Sequence, residues 1–192
     1  MMLLKVLARD NGGFMEPLKR LSRELVYKGA IIDIYRDKVQ APDGNVQDYD
    51  FIGHKGAAAV MPVNDDGKIL MVRQYRNALD RFTIEIPAGG LNGKDEPGIV
   101  CAARELEEET GYKSEDLELL ISVNTTIAFC NEKIEIYIAR NLKKTSQHLD
   151  ECEFVEVEEY SIEELVEMVY KGQILDAKTV SAILAYYNKY GK

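Results

Sequence analysis

The segment that most limits what this chain can become is residues 97–111, PGIVCAARELEEETG. Proline is tolerated in the first turn of a helix, and a glycine just past the last turn adopts the left-handed conformation that ends one, so the two residues bracket a helix. Inside it, Arg104, Glu105, Leu106, Glu107, Glu108 and Glu109 follow one another. Successive helical residues turn by about 100°, so Glu105 and Glu109 stand nearly in line and Glu108 lies about 60° from Glu105. Three carboxylates thus share one face, while Ile99, Ala102, Ala103, Leu106 and Thr110 gather on another side for packing. Like charges at three- and four-residue spacing cost a few tenths of a kcal/mol each. Arg104, four residues before Glu108, offsets one of them. The remaining carboxylates, held on a rigid element, are the donor set that a hard cation such as Mg²⁺ takes. A solvated acidic face is the plainer alternative for these six residues taken alone.

The rest of the chain alternates short β-branched runs with turns. ELVYKG, AIIDIYRDKVQ and VQDYDFIGH, with the turn APDGN, read as a small antiparallel meander. GAAAVMPV and KILMVRQYR flank the turn NDDG and read as a hairpin of central strands, apolar on both faces. FTIEIPA, residues 117–124 and 133–139, and FVEVEEY add further strands. Ser161 with Glu164 is a capping-box signature for a helix to about residue 170, and a last helix spans roughly 176–190. This order specifies an α/β (α+β) architecture, a mixed sheet sandwiched between helices with an N-terminal meander. Residues 1–20 read as a tail and 21–192 as a single domain, with the meander at 21–54 and the catalytic core at 55–192.

Composition narrows the partners. Asp and Glu number 33 against 24 Lys and Arg, a net charge of −9. Such a field repels nucleic acid and anionic membrane surfaces, so a small anionic substrate needs local help from a metal or a few arginines. Cys101, Cys130 and Cys152 form no close-spaced pair, which argues against a disulfide framework or zinc site and for a reducing, cytoplasmic setting. The opening MMLLKVLARDNGG is too short and too interrupted to span a bilayer and lacks a signal-peptide cleavage pattern. Cys101 reads as a packing residue, since no adjacent histidine would activate it. His54 and His148 carry no assigned role. Tyr186, Tyr187 and Tyr190 read as helix packing.

Residues 90–112 match a longer pattern at each defined position: Gly90, five residues, Glu96, seven residues, Arg104, Glu105, Leu106, Glu107, Glu108, Glu109, Thr110, Gly111 and Tyr112. This segment resembles the Nudix box, departing from it only at Tyr112, where an aliphatic residue is more usual. The wider chain resembles the ADP-ribose pyrophosphatase branch of the Nudix hydrolases. The resemblance implies the Nudix fold, with Glu105 and Glu109 as metal ligands, Glu108 as a further ligand or the base, and Arg104 orienting the acids. It implies that a backbone carbonyl just before the box also meets a metal. PAGG is one residue longer than the familiar PAG, which leaves Ala88 and Gly89 both as candidates. Glu151 and Glu153, in DECEFVEV, are the candidates for a late carboxylate that binds metal or activates water. Arg73, Arg76 and Glu85 are the candidates for holding the nucleotide half of the substrate, with ordinary surface salt bridging as the plainer reading of the arginines.

The activity so implied is Mg²⁺-dependent pyrophosphohydrolysis, with Mn²⁺ as a substitute. It splits the diphosphate bridge of a nucleoside diphosphate sugar, above all ADP-ribose to AMP and ribose 5-phosphate. Another nucleoside diphosphate sugar, a dinucleoside polyphosphate or a nicotinamide dinucleotide is the alternative substrate. A non-catalytic Nudix-fold metabolite sensor is the alternative from another class. Ile127 and Ala128 stand where the branch has a Pro-Gly turn, outside the acidic helix, which bears on substrate more than on catalysis. The resemblance also implies a homodimer.

Overall fold

The computed structural model describes residues 16–93, 95–149, 151 and 154–191. The chain divides into two compact units, Met1–Ile52 and Gly53–Lys192. The first carries β1 (Lys19–Lys28), β2 (Asp33–Gln40) and most of β3 (Val46–Gly53), in that order in one sheet. β1 runs antiparallel to β2, from Lys19 opposite Gln40 to Lys28 opposite Asp33. The β2–β3 turn closes where Ala41 N–H donates to Asn45 O at 2.8 Å, with Gly44 at φ 91°. The meander read from the sequence is therefore present. Its first strand takes in Lys19 and Arg20, which the sequence placed in the tail; residues 1–15 lie outside the described residues. Asp37 is the buried acid of this unit, gripped by Arg23 through two hydrogen bonds of 2.7 and 2.6 Å, while Arg23 stacks 3.7 Å over the Phe51 ring.

The second unit comprises β4 (Ala57–Pro62), β5 (Ile69–Arg76), β6 (Arg81–Glu85), β7 (Ala88–Gly90), α1 (Gly98–Thr110), β8 (Tyr112–Lys113), β9 (Asp116–Asn124), β10 (Lys133–Arg140), β11 (Lys143–Lys144), β12 (Val155–Tyr160), α2 (Ile162–Tyr170) and α3 (Ala177–Tyr190). Its main sheet has the order β7-β4-β10-β9 and is mixed, because β4 and β10 run parallel while their other neighbours run antiparallel. A second sheet, β12-β5-β6, is antiparallel, and β8 pairs with β11.

One expectation is corrected. The NDDG turn forms, with Asn64 Oδ1 accepting from Asp66 N–H at 3.1 Å and Lys68 N–H at 2.9 Å, but β4 and β5 do not continue as a hairpin. A single bridge joins Val63 and Ile69, and beyond it the strands enter different sheets. The reason lies in their burial. From Ala58 to Pro62 successive residues are buried, so β4 needs strand neighbours on both edges and cover on both faces. β10 and β7 supply the edges.

The faces are covered by helices and by the second sheet. Ala58, Val60, Tyr137 and Ala139 point one way and pack against Cys101, Ala102 and Leu106 of α1. Ala59, Met61, Ile136 and Ile138 point the other way, onto Leu165 of α2, Ala182 and Ile183 of α3, and Met71 of β5. The small residues Ala58 and Ala102 let the α1 backbone approach the sheet closely. Ile99, which helical periodicity placed on the packing side, is 43% exposed, and Cys101 lies fully buried in its stead. The stripe that packs is thus rotated toward Glu105. Among the described residues no helix is long and apolar enough to cross a membrane.

Leu106 is fully buried between α1 and β4, so Leu106→Ala removes apolar contact and leaves a cavity. A loss of about 2–5 kcal/mol is expected, read as a lower urea midpoint with an unchanged slope.

Candidate active site

α1 begins after Pro97 without a side-chain cap and ends at Gly111, φ 70°, whose N–H donates to Glu107 O at 3.0 Å. A Cβ at Gly111 would also press on Gln147 N at 3.0 Å, so conformation and space both require glycine there. Segment 145–148 satisfies the carbonyls of the last turn. His148 N–H donates to Glu108 O at 3.0 Å, and Gln147 Nε2 to Glu109 O at 2.6 Å. The chain thereby leads from the end of the acidic helix into the second acidic loop.

The acids of α1 are not a solvated face. Glu105 is 8% and Glu109 2% exposed. Glu109 Oε2 accepts from Ala88 N–H at 3.1 Å, and a Cβ on Gly89 would collide with the Glu105 carboxylate. Arg104 gathers the rest. Its Nη1 donates to Glu105 at 2.5 Å and Glu108 at 2.8 Å, its Nη2 to Gly90 O at 3.1 Å, and its Nε lies 3.6 Å from Glu96. Burial works against the guanidinium charge, but the Glu105 charge and the hydrogen bonds to Glu108 and Glu105 outweigh it and hold Arg104 firmly protonated. Burial pushes the Cys101 thiol up to about 11, with Glu105 and Glu96 adding to the rise against Arg104. Cys101 is a packing residue, as read.

A second constellation sits on β5 and β6. Glu85, 3% exposed, accepts two hydrogen bonds from Arg76 at 2.7 Å each, one from Thr83 Oγ1 at 2.7 Å and one from Lys178 Nζ at 2.5 Å. Burial alone would raise the Glu85 pKa; the hydrogen bonds from Arg76, Lys178 and Thr83 and the Lys178 charge bring it down to about 2. Arg76 is held protonated chiefly by its bond to Glu85, against burial, and the charges of Glu109 and Asp176 also reach it. The two constellations therefore adjoin. Lys178 and Thr179 were missed in the sequence. Both lie in the first turn of α3, whose start at Asp176 was legible, but which side of that helix turns inward was not.

The other candidates stand apart. Arg73 is an odd number of residues from Arg76 and so faces the opposite side of the strand, where it pairs with Glu156 at 3.0 Å and lies 4.2 Å over the Phe82 ring. The structure does not bring it to Glu85. Glu151 is exposed, and Glu153 lies outside the described residues.

A profile of the NUDIX domain matches residues 53–182, with Arg104, Glu105, Glu108 and Glu109 inside it. The chain belongs to the Nudix hydrolase family. Residues 18–52 match the nucleoside diphosphate sugar hydrolase N-terminal domain. The ADP-ribose pyrophosphatase of Bacillus subtilis (strain 168) is 40% identical over 167 residues, 86% of this chain and 90% of that protein. The methanol dehydrogenase activator of Bacillus methanolicus is 38% identical over 167 residues, with the same coverage. A crystal structure of an ADP compounds hydrolase superposes with a TM-score of 0.83 at 19% identity, covering 94% of this chain and 97% of that one, and so shares the fold.

Nudix hydrolases are metal-dependent, and the donor chemistry here fits a hard cation. Glu96, Glu105 and Glu108 converge around one guanidinium and Glu109 meets the backbone at Ala88, beside the carbonyls of residues 88–90, leaving negative charge in excess. Among the described residues no three such side chains are gathered as a ready cage. Arg104 already bridges Glu105 and Glu108, so a divalent ion would compete with that guanidinium for their oxygens.

The Glu85 network gives a pH signature. A carboxyl whose pKa falls to about 2 on folding adds stability that is complete above its unfolded value of about 4.3 and is lost as the pH drops from there. Glu85→Gln is expected to lower Tm at neutral pH and to flatten the loss between pH ~4.3 and ~2. Parallel melting curves for the two proteins would contradict this.

Proposed function

We propose that this Nudix hydrolase splits the diphosphate bridge of a nucleoside diphosphate sugar, with ADP-ribose as substrate and AMP and ribose 5-phosphate as products. The observation that carries the reading is the adjacency of the α1 acids to the Arg76–Glu85–Lys178 network, within a chain whose first part matches the nucleoside diphosphate sugar hydrolase N-terminal domain. The 40% identity to an ADP-ribose pyrophosphatase supports the same substrate.

Glu105, Glu109 and Glu108, with the carbonyl of Ala88 or Gly89, would hold Mg²⁺ or, in its place, Mn²⁺. Such a cation, when bound there, would neutralise charge on the diphosphate and make a water more acidic. Arg76 donates to the phosphate oxygens, kept extended toward them by Glu85. Water attacks one phosphorus, the bridging P–O bond breaks, and the water proton passes to a carboxylate, for which Glu108 and Glu151 are the candidates. Arg104 orients Glu105 and Glu108 for these roles. Arg73, engaged elsewhere, is the weakest of the proposed substrate contacts, and Glu153 is retained as a candidate ligand on resemblance alone.

A second reading, in which another nucleoside diphosphate sugar is split by the same residues, rests on the match of residues 18–52 to the nucleoside diphosphate sugar hydrolase N-terminal domain, which names that class and not ADP-ribose. We place the enzyme in the cytoplasm as a homodimer. The dimer is supported by β1, whose ten residues are all exposed, Leu21, Leu25, Val26 and Tyr27 among them.

Three measurements test these points. Monophosphate release from ADP-ribose, other nucleoside diphosphate sugars and dinucleotides is expected to be greatest for ADP-ribose, to need Mg²⁺ and to stop in chelator. Preference for another compound moves the substrate, and no release from any of them favours a sensor. Glu109→Gln keeps shape while removing a charge and should lower kcat at least about a hundredfold, the scale of losing one electrostatic contact to the transition state; near-normal turnover removes Glu109 from the ligand set. Light scattering should give twice the mass of one chain.

A further inference from the structure

The first turn of α3 reaches the site from a distant part of the sequence. Asp176 caps the helix, accepting from Thr179 N–H at 3.0 Å and Thr179 Oγ1 at 2.6 Å. Thr179 Oγ1, fully buried, in turn accepts from Ile86 N–H at 3.1 Å. Lys178 Nζ donates to Asp176 at 2.9 Å and to Glu85 at 2.5 Å. One turn of helix thus grips the backbone of Ile86 and the side chain of Glu85, immediately before the segment that carries Ala88 and Gly89. Arg76, Glu85 and Lys178 also line one cleft of about 400 Å³, together with Leu79, Thr83 and Leu175.

A lysine with its side chain only 10% exposed gives up most of its hydration and needs opposite charge close by, which Glu85 and Asp176 supply. Its position is explained if its charge is used. Glu85 has two oxygens; Oε1 takes Arg76 Nε and the Thr83 hydroxyl, and Oε2 takes Arg76 Nη2 and Lys178. With Lys178 in place the carboxylate is fixed from both sides and presents its fork to Arg76 in one orientation. Without Lys178, Oε2 keeps only Arg76 Nη2, so on that side the carboxylate is held by the guanidinium alone and the pair has more freedom to shift together.

We propose that Lys178 is a positioning residue for hydrolysis, acting through Glu85 to aim Arg76 at the substrate's phosphates. The inference rests on the reading of Arg76 as a substrate contact. Lys178 does not touch the reacting atoms; it lowers the number of orientations Arg76 has to give up when substrate binds.

The test is a double-mutant cycle on kcat/KM for ADP-ribose with saturating Mg²⁺, using Lys178→Met, Arg76→Ala and the double variant. Methionine keeps the aliphatic stem and removes the charge. Lys178→Met is expected to lower kcat/KM by about ten- to a hundredfold, the range for losing a charge-assisted hydrogen bond. Arg76→Ala should cost at least as much, and the double variant should be no more than about threefold worse than Arg76→Ala, the spread expected of non-independent sites. Losses that multiply in the double variant, or a Lys178→Met enzyme within about threefold of wild type beside a crippled Arg76→Ala, overturn the inference and leave the role of Arg76 intact. An Arg76→Ala enzyme of normal activity overturns both. Melting curves accompany each variant. If Lys178→Met does not fold, Lys178→Gln, whose amide still donates to the carboxylates but carries no charge, takes its place in the same cycle with the same criteria.

Discussion

Burying carboxylates is the constraint from which the rest of this structure follows. Taking an ionised carboxyl out of water costs several kcal/mol unless hydrogen bonds and opposite charge replace the lost hydration. α1 buries two of them, Glu105 and Glu109, one helical turn apart. Each neighbouring feature answers that cost. Ala88 offers its N–H to Glu109, Gly89 has no side chain where the Glu105 carboxylate lies, and Arg104 spends its donors on Glu105, Glu108 and Gly90. The helix can approach so closely because Ala58, Ala102 and Cys101 keep the interface thin. Replacing those small residues with larger ones would withdraw the acids from their partners as well as strain the core.

The two charged groups are balanced differently. Around Arg104, three glutamates, Glu96, Glu105 and Glu108, face one guanidinium. Around Glu85, two carboxylates, Glu85 and Asp176, face two cations, Arg76 and Lys178. The first group gains from an added cation, and the second is already neutral and keeps Arg76 charged whatever binds. On the proposed reading, a diphosphate carrying a divalent ion would present a cation to the first group and anionic oxygens to Arg76 of the second. At an effective dielectric of about 20, each such contact at 4 Å is on the order of 4 kcal/mol before desolvation, large beside the few tenths of a kcal/mol by which the glutamates repel along the helix.

What was legible in the sequence was local. Pro97 and Gly111 marked the ends of α1, Ser161 and Glu164 those of a capping box that forms as read, with Glu164 Oε2 accepting from Ser161 N–H at 2.8 Å. The spacing of Gly90, Glu96, Arg104 and the glutamates carried the resemblance to the Nudix box, and it lies within one loop and one helix. What was not legible was tertiary. The separation of β4 and β5 into two sheets follows from neighbours tens of residues away, β10 and β12, which periodicity does not name. Ile99 is exposed because the packing stripe is set by the sheet beneath it. Arg73 and Arg76 look equivalent in VRQYR and are separated only by the alternation of the strand. Lys178 reads as an ordinary helical lysine until its helix is docked.

The same docking explains how the short stretch between β6 and β7 is held. Residues 86 and 87 cross from one sheet to the other before β7 begins at Ala88, so their backbone groups have no strand ladder to supply partners, yet both are buried. Each finds a separate one. Ile86 N–H goes to Thr179 of α3, Pro87 O accepts from Val60 N–H of β4 at 2.9 Å, and Ala88 N–H goes to Glu109 of α1. Proline at 87 also removes a donor that would otherwise need a partner and fixes φ at the crossing. Three consecutive residues are thus tied to three different elements, and the crossing is fixed by its own hydrogen bonds. Because the carbonyls of Ala88 and Gly89 follow directly, their direction is set before any ligand arrives, and the ordering cost has been met in folding, not in binding.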